Sequence, residues 1–121
     1  MDHKIFRHQE GHIEIECAET FTETNITKLA KEFVRLSTEI EDVGKAVKVL
    51  VNSSRVKRWY GSVHDLLVII FKDIEFRKLA TFGANREILY LQHEVAINAE
   101  VQDRAKSFNT RQEAKVWLFE D

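Results

Sequence analysis

The sequence predicts an α/β fold in three layers, with about four helices over a mainly parallel sheet of about five strands and an antiparallel N-terminal edge strand. Two observations carry this. Short apolar runs alternate with segments whose apolar residues recur every three or four positions, along all 121 residues. Toward the C-terminus one unit also recurs, a short strand, a Gly or polar cap and then a helix, first from Arg77 and again from Arg104. Strands separated by helices of crossover length pair in parallel through right-handed connections.

Each element has its own signal. Ile5 and Phe6 belong to a short extended piece, Gly11 makes a turn, and His12 to Glu16 alternates polar and apolar residues with period two. That alternation suits an edge hairpin with one wet face, to which Glu14 and Glu16 both point. Thr24 or Asn25 caps a long helix, in which Ile26, Leu29, Phe33, Leu36, Ile40 and Val43 form one apolar stripe and Gly44 closes it. Val47 to Val51 is nearly continuous apolar sequence, as a central strand is. Leu66 to Phe71 is also an unbroken apolar run, whose composition alone suits a buried strand. Ser62, with Asp65 three residues on, nearly matches a capping box and favours a helix there. Such a helix puts Val63, Leu66, Leu67, Ile70 and Ile74 on one face, with His64, Val68 and Phe71 as a second stripe on its flank. Lys78 to Phe82 is the next strand, and Asn85 caps a third helix carrying Ile88, Leu91 and Val95. Arg104 to Phe108 is the last strand. Thr110 and Glu113 form a full capping box for a final helix that packs Ala114, Trp117 and Leu118 on the sheet.

Composition bounds the function. With 44% hydrophobic and 31% charged residues, no proline, four glycines and no low-complexity segment, the chain reads as a single domain over residues 1–121. A chain of this length buries roughly two-thirds of its unfolded surface, enough for a core without disulfides or metal. A formal charge of −2 gives no argument for nucleic acid or an anionic membrane as partner. The one cysteine, Cys17, excludes an internal disulfide framework and fits a reducing compartment. No apolar run approaches the roughly 20 residues of a membrane span, and the N-terminus lacks a signal peptide's apolar region, so the expected location is cytoplasmic.

Enzyme chemistry finds little support. Cys17 acts as a nucleophile only with a base beside it, and otherwise reads as a small buried residue after a strand. His8 and His12 approach across the Gly11 turn, but two histidines without a third ligand make a weak metal signal. His3 would be a third, from a terminal segment expected to fray. Glu14 and Glu16 share the wet face of their strand. Gly83-Ala84-Asn85-Arg86 lacks the glycines of a dinucleotide loop, and neither a nucleophile elbow nor a P-loop appears. No catalytic residue, metal or cofactor is assigned.

Val47 to Asn52 ahead of the Trp59 turn, the strand from Lys78 to Gly83, and Phe108 followed by Glu113-Ala114 and Trp117-Leu118 together resemble the SpoIIAA-like branch of the STAS and SEC14-like superfamily. Order and spacing over nearly the whole chain carry the resemblance. It implies a small non-enzymatic domain, either a protein-interaction module in signalling or a binder of apolar small molecules. STAS anti-sigma-factor antagonists are switched by phosphorylation of a serine in an Asp-Ser-Ser-Gly-like segment. That segment falls near Tyr60-Gly61-Ser62-Val63, where only Ser62 matches in residue type. Ser62 therefore has two readings, a modification site and a helix N-cap.

Two surfaces remain. Arg55-Val56-Lys57-Arg58-Trp59-Tyr60 follows the central strand, at the sheet edge where open α/β folds bind ligands. Arg55, Lys57 and Arg58 would meet a carboxylate or phosphate head while Trp59 and Tyr60 cover an apolar body; the alternative is a solvated loop whose Trp closes the core. The stripe of His64, Val68 and Phe71 is either a face for a homodimer or signalling partner, or is covered by the first helix or N-terminal strands. The expected function is a self-associating interaction or regulatory module, with binding of an apolar or amphipathic, lipid-like small molecule near Trp59 and Tyr60 as the alternative.

Overall fold

Residues 2–120 are described by the computed structural model. The elements run β1 (Lys4–Arg7), β2 (Ile13–Glu16), β3 (Thr20–Phe21), α1 (Glu23–Asp42), β4 (Lys48–Asn52), β5 (Arg58–Trp59), α2 (Gly61–Asp73), β6 (Lys78–Phe82), α3 (Arg86–Asn98), β7 (Ala105–Phe108) and α4 (Arg111–Phe119). Successive strand residues point to opposite sides of a sheet, so a strand apolar at every position must be covered on both. Strand β4 meets that condition: Val49, Leu50 and Val51 are all buried. It lies in the middle of a five-stranded sheet of order β1-β2-β4-β6-β7, in which β1 is antiparallel to β2 and all other pairs are parallel. The predicted architecture is the observed one. Strands β3 and β5 add a separate parallel ribbon.

The two faces carry unequal layers. Ile13, Ile15, Val49, Val51 and Leu79 meet Phe33, Leu36, Val63, Leu67, Ile88 and Val95, so α1, α2 and α3 cover one side. On the other, Leu50, Ala80 and Phe82 meet Ala114 and Leu118 of α4 alone. Leu50 and Leu118 are fully buried there and stabilise the contact by about 2 kcal/mol each. Helix α4 is tied at both ends. Thr110 Oγ1 accepts from Glu113 N at 3.2 Å, and Lys78 Nζ donates to the carbonyls of Trp117 and Glu120 at 2.8 and 2.6 Å. A lysine at that end satisfies free carbonyls and opposes the helix dipole.

Four local expectations are corrected. The α1 cap is Thr22 rather than Thr24 or Asn25: Asn25 N donates to Thr22 Oγ1 at 3.1 Å while Thr22 N donates to Asn25 Oδ1 at 2.9 Å. The shorter asparagine does the work of the usual Glu or Gln in the reciprocal box. Val43 leaves the α1 stripe as the C-cap and is 61% exposed. Ser62 is not a cap; α2 begins at Gly61, with Tyr60 as N-cap and no side-chain cap bond, and Ser62 lies exposed in the first turn. The β1–β2 hairpin forms the sheet edge as expected, with β1 outermost. The polar side of β2 is nonetheless not wet, because Arg111 of α4 reaches over it: His12 and Glu14 are buried, and only Glu16 is exposed.

Candidate functional site

The parallel strands β2, β4, β6 and β7 all run toward one edge, where backbone leaves the sheet into loops and concave space opens. Beneath α2 and α3 near this edge lies a cavity of about 120 Å³. Ile15, Val51 and Leu79 form its floor, Leu67 and Phe71 come from α2, Val95 from α3, and Phe21 and Trp59 from the β3–β5 ribbon. Phe21 pairs with Trp59 in register, and the rings stack at 5.0 Å and 19°. The Trp59 indole Nε1 is buried and no protein group accepts from it.

A polar seam closes the far wall. Gln92 Nε2 donates to Ser53 Oγ at 2.8 Å, and Thr81 Oγ1 lies 3.1 Å from Gln92 Oε1 and 3.0 Å from Ser107 Oγ. These groups satisfy one another, which is what makes their burial tolerable. The residue after β6, Gly83, keeps the Ser53–Ser54 loop close: a Cβ built on it would lie 3.0 Å from Ser54 Cβ, and its φ is +81°. Burial pushes the Cys17 thiol up to about 12, against a hydrogen bond with Ser53 that pulls the other way. It is a protonated, apolar part of the wall rather than a nucleophile. Among the described lining residues only His93 and Lys106 carry basic groups. His93 is exposed, and Lys106 Nζ sits over the Trp117 ring on the opposite face of the sheet. The interior is therefore uncharged.

Of the segment Arg55 to Tyr60, the structure brings only Trp59 to the cavity. Arg55, Lys57, Arg58 and Tyr60 are exposed. The backbone N–H groups of Lys57 and Arg58 both donate to the Glu19 carbonyl, at 2.7 and 3.0 Å, which fixes this backbone against β3 while the cations stand in solvent. Lys57 Nζ lies 3.5 Å from the Glu19 carboxylate. The stripe of His64, Val68 and Phe71 is half-buried, because α2 lies between α1 and α3. Phe71 lines the cavity and meets Phe76 edge-on at 6.0 Å, Val68 packs against the core, and His64 sits 6.4 Å from the Trp59 ring. The apolar side chain that α2 does show to solvent is Ile69, 57% exposed.

A second constellation lies on the α4 side of β2. His8, His12 and Glu14 place ring nitrogens and a carboxylate oxygen within 4.8 Å of one another, so the third potential ligand is Glu14, not His3. Burial works to raise the Glu14 carboxyl, but bonds from Arg111 and His12 outweigh it and hold it below the usual carboxylate range. Burial likewise lowers His12, against the opposing pull of Glu14, so the ring is held neutral more firmly than a free imidazole. The trio is poorly shaped for chelation. The two imidazoles stack at 4.7 Å and 18°, whereas a metal at about 2 Å must lie in the plane of each ring it ligates. Glu10 N also donates to His8 Nδ1, and Arg111 already holds the Glu14 carboxylate. His3 does not fray: it is buried, bonding Asn25 Oδ1 at 3.0 Å and accepting from Ala18 N at 2.9 Å.

No family model and no curated protein matches the sequence. Solved structures do. A STAS domain (anti-sigma-factor antagonist) protein from Planctomyces limnophilus superposes with a TM-score of 0.65 at 20% identity, over 97% of each chain. An uncharacterized protein of the DUF3478 family with a SpoIIAA-like fold, from Shewanella loihica, superposes with a TM-score of 0.63 at 14% identity, over 96% of this chain and 91% of that one. The fold is thus the SpoIIAA-like fold, found also in a STAS domain. At these identities the likeness is one of fold, and the residues around Trp59 must speak for themselves.

Proposed function

We propose that this protein is a non-enzymatic regulatory module that binds a small apolar molecule in the cavity behind Trp59. The carrying observation is the cavity itself: apolar, uncharged, at the strand edge where α/β folds take ligands, and walled by a paired aromatic ribbon. The fold it shares with a domain described as an anti-sigma-factor antagonist supports a regulatory role. The inert thiol of Cys17 supports a site that binds rather than reacts. With Trp117→Phe as background, emission from Trp59 should change on titration with a small hydrocarbon, and the protein should gain thermal stability. At ten times Kd that gain is about 1.4 kcal/mol. A flat fluorescence signal and an unmoved melting temperature would remove this reading.

Self-association is a second reading, favoured by the bare Ile69 on α2. Because Phe71 and Val68 pack inward, Ile69→Glu is the informative variant. A dimer that becomes a folded monomer on this change supports the reading, and an unaltered elution mass rejects it.

A further inference from the structure

We propose that the β1–β2 turn is an acid-released clasp: charging His12 frees residues 8–11 from helix α4 while the rest of the sheet holds. The turn reaches α4 through Glu10, whose Oε1 accepts from Lys115 Nζ at 3.0 Å. It also carries the His8 ring, which stacks on His12 at 4.7 Å and 18°. His12 is thereby shut in, between that ring and the Phe119 ring of α4, edge-on at 5.2 Å, and is only 2% exposed.

The placement of protons makes this seam sensitive. His12 Nε2 lies 3.0 Å from Glu14 Oε1, and a carboxylate only accepts, so Nε2 carries the hydrogen of the neutral ring. A second proton must go to Nδ1, which is buried with no partner among the described residues. That makes a buried donor without an acceptor, on a buried charge. The surrounding charges are already matched: Glu10 by Lys115, and Glu14 by Arg111, with Lys48 of β4 over the Phe119 ring at 5.6 Å. Glu14 favours the charged imidazole, but burial outweighs it. His8 lies 3.5 Å from Glu10 Oε1 and 3.9 Å from Glu14 Oε1, so a proton there draws on the same two carboxylates. It would also turn Nδ1, which accepts from Glu10 N at 3.0 Å, into a donor and undo the turn's own bond. The piece able to move is the turn. Lys78 and the buried Leu118 hold α4, whereas Gln9 and Glu10 are exposed. Lifting the turn gives His12 water, so acid favours the lifted state.

Hydrogen exchange and imidazole titration, both followed by nuclear magnetic resonance, test the clasp. The His8 amide donates to the His12 carbonyl at 2.8 Å and reports on the closed turn. Corrected for the intrinsic exchange rate, its protection should fall by up to about tenfold per pH unit below 6.5, the ordinary value of the imidazole. The fall should persist in His3→Gln, which separates it from unfolding of the whole chain. It should vanish in His12→Phe, whose ring fills nearly the same space and does not titrate. Protection that does not vary with pH, or that falls equally in His12→Phe, overturns the clasp. Should His12→Phe fail to fold, His8→Ala decides: with the covering ring gone, the titration of His12 should move up toward 6.5, and an unmoved titration overturns the proposal.

Discussion

Gly83 is the residue on which the site's geometry hangs most visibly. Its backbone is left-handed, and its missing side chain is what lets the Ser53–Ser54 loop close over the strand ends. Gly83→Ala should destabilise the fold by about 1–2 kcal/mol from the backbone alone, with more from the contact at Ser54. Urea unfolding measures the loss, and an unchanged midpoint would show that the loop does not rest on this glycine. At this scale the sequence was legible in part. Cys17 was read as a small buried residue, and it is one. Glu14 was misread because period two reports that β2 has two kinds of face without saying what covers the polar one. What covers it is Arg111, 97 residues away, reaching from the first turn of α4. The seam of Ser53, Thr81, Gln92 and Ser107 was invisible for the same reason, since its members meet only through the parallel sheet and α3. Of the segment read from position as a ligand edge, Trp59 lines the cavity, while Arg55, Lys57, Arg58 and Tyr60 do not.

Helices announced themselves more clearly than short strands. The three-and-four spacing of α1, the Asn85 cap of α3 and the Thr110–Glu113 cap of α4 are local signals, and each lies where the sequence put it. The β3–β5 ribbon gave no signal, because two residues have no periodicity. It is nonetheless the element that brings Phe21 and Trp59 together. Helix α2 was recognised as a helix despite its continuous apolar run, and that run is now explained: α1 and α3 flank it and the sheet lies beneath, leaving Ile69 outermost. Phe71 also stands in the wall of a smaller void of about 60 Å³ toward α1, which shares Leu29 and Leu67 with the main cavity. Phe71→Ala should therefore join the two spaces. The variant should lose about 3 kcal/mol of stability and shift its preference toward larger apolar ligands. Calorimetry with cumene and a bulkier hydrocarbon checks this, and an unchanged order of affinities would mean Phe71 is not the partition.

At the scale of the molecule, layering and parallel pairing followed from alternation and connection length, and the similar solved structures share the fold over nearly their whole length. No helix among the described residues is long and apolar enough to cross a membrane. The buried histidines give the whole fold a pH dependence. His3 and His12 are both held below the ordinary value of 6.5 by burial, so the unfolded chain binds their protons first. Their contribution is complete above pH 6.5 and is lost as pH falls through their lower folded values. Glu14, lowered from 4.5 by Arg111 and His12 against its own burial, adds a separate loss in more acid solution. The urea midpoint should fall between pH 7 and 5, with a shallower slope in His3→Gln; an identical slope would mean His3 titrates freely in the folded protein.

The space behind Trp59 is proposed as the site for a small apolar molecule. Diffraction from a crystal held under xenon tests it most directly, because xenon enters dry apolar cavities without needing any particular ligand chemistry. The expected result is a xenon atom between Trp59, Phe71 and Val95. A cavity closed by side chains, with xenon found only elsewhere, would contradict it.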